Sequence, residues 1–123
     1  MLNRYQQFGK RSEQLAAEFL MRMGYRILET NYRSTVGEID IIAMEKGIIV
    51  FIEVKARSSS RFGSAKAAVT RAKQRKISMA ALDYLKRNGQ VHASARFDVV
   101  AIDTAGGKTD IEVVKNAFTL AYG

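Results

Sequence analysis

Glu38-Ile39-Asp40 and Glu53-Val54-Lys55 flank residues 41–52, which are largely apolar, and the second string lies inside a run of β-branched residues. In a strand alternate side chains share a face, so Glu38 and Asp40 point one way, and Glu53 and Lys55 also share a face. Glu45-Lys46-Gly47 reads as a turn. An antiparallel hairpin with a two-residue loop at Lys46-Gly47, or a four-residue loop in the same register, sets Asp40 opposite Glu53 and Glu38 opposite Lys55. Two facing carboxylates repel, and the arrangement asks for a compensating cation. A divalent metal with an adjacent lysine meets that need.

The chemistry that uses this set is metal-assisted phosphodiester hydrolysis. Mg²⁺ prefers oxygen ligands in near-octahedral geometry at about 2.0–2.1 Å and keeps several waters. Asp40 and Glu53 can each donate an oxygen, and the backbone carbonyl of Val54 can add a third. The metal, Mg²⁺ or Mn²⁺, would polarise the phosphate and lower the pKa of an attacking water. Lys55 would orient that water or stabilise charge in the transition state. A strand end emerging into solvent would show the same Glu-Val-Lys string as a surface ion pair of little worth. The apolar positions around it favour a site, because unpaired carboxylates near a core are costly.

The elements that must position these residues follow from periodicity. Residues 10–23 predict a helix with Leu15, Ala16, Phe19, Leu20 and Met23 as its apolar stripe, Glu13 at the margin and Gly24 after the cap. Glu18, the rival helix carboxylate, reads as solvated. Residues 25–33 suit a first strand, 38–44 and 48–56 the hairpin, and both faces of the latter strand are apolar, as in a central strand. Residues 57–64 form a polar loop, and 65–88 a second helix closed by Asn88-Gly89, with Lys73 on its apolar stripe and Gln74 near the edge. Strands at 95–102 and 109–115 complete an α/β chain in the order α-β-β-β-α-β-β, a mixed sheet flanked by helices. Asp98 reads as a buried structural acid paired with an arginine, and His92 as incidental.

With 123 residues the chain suits one domain spanning 1–123. It has no cysteine, so no disulfide or thiolate metal site, and its single histidine excludes a multi-histidine cluster. No run approaches the about eighteen apolar residues of a membrane span, so a cytoplasmic protein is expected, with no membrane partner. The net charge of +8 points to a polyanion. Residues 54–88 hold ten Lys or Arg against Asp83 alone, whereas 38–53 hold four acids against Lys46. Such a run is also what a solvated helix face looks like. As phosphate contacts the candidates are Arg57, Arg61, Arg71, Arg75 and Lys76, with Lys73 and Gln74 as accessory groups facing the site. They would hold a backbone in register without selecting sequence.

Asp40 followed by Glu53-x-Lys55 across a hairpin resembles the active-site motif of the PD-(D/E)xK nuclease superfamily. Gly9-x-x-x-Glu13, Gly24-Tyr25, Asp40-Ile41-Ile42-Ala43 and Ile52-Glu53-Val54-Lys55 run in the order and near the spacing of archaeal Holliday junction resolvases. Gly37-Glu38-Ile39-Asp40, Glu53-Val54-Lys55-Ala56-Arg57 and Arg96-Phe97-Asp98 resemble the YraN-like bacterial family, over nearly the whole chain. The resemblance implies a restriction-endonuclease-like core, a Mg²⁺-dependent nuclease site at Asp40, Glu53 and Lys55, and a helix-borne carboxylate at Glu13. Ile39 stands where the superfamily motif has proline. Glu38 has no fixed role in that motif and is a further ligand or the partner of Lys55.

These readings lead to an endonuclease acting on DNA, with branched or otherwise structured DNA the natural substrate and a homodimer plausible for a resolvase-like protein. The alternative is a nucleic-acid-binding protein that keeps the nuclease fold without hydrolysis. A third class is an interaction protein whose acids bind metal structurally.

Overall fold

The computed structural model describes residues 3–57, 69–104 and 107–120. Along the chain these form α1 (Arg4–Arg22), β1 (Arg26–Ser34), β2 (Gly37–Glu45), β3 (Ile48–Arg57), α2 (Arg71–Arg87), β4 (Ala95–Asp103) and β5 (Asp110–Phe118). The order α-β-β-β-α-β-β is the one expected. The five strands lie side by side in sequence order. β3 and β4 are parallel, joined through α2, and every other pair is antiparallel. This α/β arrangement, a mixed sheet with a helix on each face, is that of a restriction-endonuclease-like core.

The two helices cover opposite faces. Ala16 and Leu20 of α1 pack on Ile41, Ala43, Val50, Ile52, Val100 and Ile102. Ile77, Ala80, Ala81, Tyr84 and Leu85 of α2 pack on Ile42, Ile49, Phe51, Phe97 and Val99. β3 is therefore buried on both sides, as its doubly apolar sequence requires. Its turn is the two-residue form: Lys46 and Gly47 both take left-handed φ, 52° and 78°, the type I′ conformation whose twist matches the strands.

Element ends differ from expectation at three places. α1 starts a turn and a half before residue 10, although Gly9 and a polar lead-in argue against helix there. It stops as expected, with Gly24 at φ 95° and the Tyr25 N–H donating to the Leu20 carbonyl at 2.9 Å. α2 begins at Arg71, where the Thr70 hydroxyl accepts the Lys73 N–H at 3.2 Å as an N-cap. The part of that helix expected over 65–68 lies outside the described residues, as do residues 58–64 of the loop expected before it. β5 continues past residue 115 to Phe118, through a left-handed Asn116 that interrupts its alternation.

Toward the end of the sheet marked by the β2–β3 turn, a polar network replaces apolar packing. Asp98, fully buried, accepts from Tyr25 Oη at 2.8 Å, Arg96 Nε at 3.0 Å and the Asn116 N–H at 2.9 Å. Arg96 also donates to Glu45, which takes Lys115 Nζ at 3.0 Å. Asp98 is the structural acid its sequence suggests, satisfied on both oxygens. No helix among the described residues is long and apolar enough to cross a membrane.

Candidate active site

At the opposite end of the β2–β3 hairpin the regular ladder stops. The β2–β3 pairs run from Glu45↔Ile48 to Ile41↔Ile52, the register expected from the turn, and end one step short of Asp40 and Glu53. Strict alternation would place Ile39 and Ile41 on one face. Instead Ile39, with its β1 neighbour Tyr32, joins the α2 side of the core, while Ile41 joins the α1 side. Between them Asn31 takes φ 53°, a left-handed conformation that asparagine tolerates better than most residues. The β1–β2 ribbon thus turns over at Asn31 and Asp40, and Asp40 is redirected. Its Oδ2 accepts the Val54 N–H at 2.8 Å, so a side chain takes the place of the next ladder bond.

The result is a cleft of about 290 Å³ lined by Gly9 and Glu13 of α1, Asp40 of β2 and residues 53–56 of β3. Asp40 lies close enough to both Glu13 and Glu53 for its negative charge to act on each. Glu53 is 5 % exposed. Burial first, and then the negative charge of Asp40, push its pKa up to about 7, against the pull of Lys73 and Lys55. Those ammonium groups stand 3.6 Å and 3.9 Å from Glu53 Oε1. Glu13 is also raised, by burial and then by Asp40, while a hydrogen bond from Asn31 works the other way. Asp40 and Glu53 therefore converge on one cleft rather than diverging across the sheet.

The structure brings together Glu13, Asp40, Glu53, Lys55 and Lys73, and Val54 joins them through its N–H. It leaves others apart. Glu38 is exposed and makes its ion pair with Arg33 at 3.7 Å, so it is not the partner of Lys55, which pairs with Glu53. The reason is the turnover at Asp40, which breaks the shared face of Glu38 and Asp40. Gln74 spends its amide on the Val69 carbonyl at 3.0 Å, fixing the start of α2. Glu18 is exposed. Arg71, Arg75 and Lys76 are exposed on the first two turns of α2, whereas Arg57 is half-buried 4.0 Å from Asp103. Arg61 lies outside the described residues. Asn31, the residue that spacing did not single out, stands beside Glu13 and counters the rise in its pKa. A left-handed asparagine inside a strand leaves no periodic trace in sequence.

Among the described residues no group of three or more His, Cys, Asp or Glu side chains forms a ready-made metal cage. The donor set nevertheless fits a hard cation. Glu53 stands nearly buried beside the negative charge of Asp40, so added positive charge is favoured at that point. Mg²⁺ is commonly held by one or two carboxylates with waters and substrate phosphates completing the shell.

The model of the Uncharacterised protein family UPF0102 matches residues 12–102, from the helix carrying Glu13 to near the end of β4. A UPF0102 protein of Desulfosudis oleivorans is 51 % identical over 118 residues, covering 96 % of this chain and 94 % of the relative. One from Geobacter metallireducens is 49 % identical and covers 93 % of each chain. One from Syntrophus aciditrophicus is 50 % identical over 94 % of this chain and 91 % of its own. With the matched segment carrying every strand of the site, the chain belongs to the UPF0102 family, the YraN-like group that its Gly37–Asp40 and Glu53–Arg57 strings resemble.

Proposed function

We propose that this protein is a Mg²⁺-dependent endonuclease that hydrolyses phosphodiester bonds in DNA, with branched or otherwise structured DNA as its substrate. The observation that carries the reading is the convergence of Asp40 and a nearly buried Glu53 in one cleft with Lys55 beside them. The preference for structured DNA and a homodimeric assembly rests on the resemblance to junction resolvases.

Asp40 and Glu53 would hold the cation, with the Val54 carbonyl as a third oxygen donor; Mn²⁺ would serve as well. When bound, the ion supplies Lewis-acid polarisation of the scissile phosphate and a water acidified toward neutrality. The chain's own contributions are positional and electrostatic. The Val54 N–H fixes one oxygen of Asp40 at the wall of the cleft. Lys55, on the same strand as Glu53, places a positive charge where the phosphorane-like transition state accumulates negative charge. Glu13, kept protonated more readily than an ordinary glutamate, stands where it can hydrogen-bond a water or give up a proton. Arg71, Arg75 and Lys76 supply backbone contacts beyond the cleft.

One observation favours the second reading, a binding protein without hydrolysis: Glu53 is already attended by two lysines, which balance much of its charge with no metal at all. Labelled linear, single-stranded and four-way-junction DNA, incubated with Mg²⁺ or Mn²⁺, separates the two. The nuclease reading expects cleavage that falls at least about a hundredfold in Asp40→Asn and in Glu53→Gln, the scale of losing one transition-state stabiliser. Tight binding by the wild type with no cleavage of any substrate would establish the binding protein instead, and cleavage surviving both substitutions would place the activity elsewhere.

A further inference from the structure

Lys73 belongs to two places at once. Its ammonium is 3.6 Å from Glu53 Oε1, yet its side chain, 43 % exposed, also lines a neighbouring groove of about 410 Å³. That groove lies between the first turns of α2, with Lys73 and Lys76, and the β1–β2 turn, residues 35–38. Its walls are tied together at Gly37, where a Cβ would come within 2.5 Å of the Lys76 carbonyl oxygen. The groove's one acid, Glu38, already faces Arg33. Residues 71–82 contain no acid at all.

We propose that Lys73 is an exchangeable counter-ion. In the metal-free protein its ammonium holds a cation's place at Glu53, and a divalent cation on the carboxylates releases it to pair with a backbone phosphate lodged beside Lys76. The inference rests on the metal site of the nuclease reading, but requires nothing of cleavage. Two physical points support it. A divalent charge and an ammonium that share one carboxylate oxygen repel each other at this range. Of the two lysines at Glu53, Lys55 is fixed to the same strand, whereas Lys73 hangs from a separate element on a flexible stem that already reaches the groove. Cation and polyanion must then bind with positive coupling, and the coupling is reciprocal.

Calcium, an oxygen-seeking cation, and a short DNA duplex are the probes, read by titration calorimetry and not by activity. In the wild type the duplex tightens Ca²⁺ binding. Lys73→Gln should bind Ca²⁺ roughly threefold to fivefold more tightly in the absence of DNA, the worth of a partly exposed ion pair, and should show a correspondingly smaller tightening by duplex, keeping only the part that phosphate on the cation itself supplies. Lys73→Arg should restore both behaviours. Lys76→Gln should weaken the duplex and leave the Ca²⁺ affinity of the free protein unchanged. Unaltered Ca²⁺ affinity in Lys73→Gln, or coupling as large as in the wild type, overturns the exchange while an Asp40-dependent Ca²⁺ site keeps the nuclease reading intact. A wild type that binds no Ca²⁺ overturns both.

Discussion

Glu53 is a carboxyl whose charged form is opposed by its own burial. Its carboxyl is nearly buried beside Asp40, and its pKa is raised from an ordinary 4.5 to about 7. Between those two values the folded protein holds a proton that the unfolded chain releases, so stability falls as pH rises through that interval and stays low above it. In chelator the wild type should therefore lose on the order of 2 kcal/mol between about pH 5 and pH 8 relative to Glu53→Gln. Denaturant midpoints across that range check it; parallel curves for the two proteins would show that residue 53 does not titrate in this way. The same scale shows what spacing can and cannot reveal. Asp40, Glu53 and Lys55 were readable because a two-residue turn and a period of two fix which side chains meet. Asp98 was readable because an acid between Phe97 and Val99 has to be buried and paired. Asn31 was not, and neither was the Arg33 partner of Glu38, because both depend on a backbone turnover that alternation cannot anticipate.

At the level of elements, the site exists because α2 is pressed against the start of β2. Gly37 makes that approach possible, since any side chain there would run into the backbone of Lys76. Gly37→Ala should thus lower stability by about 1–3 kcal/mol, the usual range for forcing extra volume into a packed contact. Gly9→Ala is its control. A Cβ at Gly9 meets nothing within 4 Å and sits inside α1, so helix propensity alone should raise stability by up to about 1 kcal/mol. Urea denaturation of both variants decides the matter, and equal shifts of the same sign would refute the contact. Strand and helix identities were plain in the sequence for the reason that makes this contact matter. Each helix buries one continuous stripe and β3 buries both faces, patterns that periodicity shows, whereas a helix end answers to a cap such as Thr70, whose reach does not show in hydrophobic periodicity.

For the whole molecule, the acidic and basic tracts that adjoin in sequence are brought to the same end by topology. β3 carries Glu53 and Lys55 near its C-terminal end, and because β4 runs parallel to it, α2 must start beside that end and run back. The first turns of α2 therefore deliver exposed Arg71, Arg75 and Lys76 to the neighbourhood of the cleft, with Arg71 and Arg75 four residues apart on one helix face. Net charge was legible from composition; its placement required the crossover. If this surface tracks a nucleic-acid backbone, binding must weaken with salt in proportion to the phosphates it neutralises, with a slope of about −0.9 per contact on duplex. Replacing Arg71 and Arg75 together by glutamine should flatten the plot of log affinity against log salt by about 1.8. It should weaken all duplex sequences alike, since these residues touch phosphate and not base edges. Fluorescence anisotropy over a salt series measures the slope directly. A double variant with the wild-type slope would remove the α2 face from the footprint, and would leave the +8 charge of the chain as a property of its solvated surface.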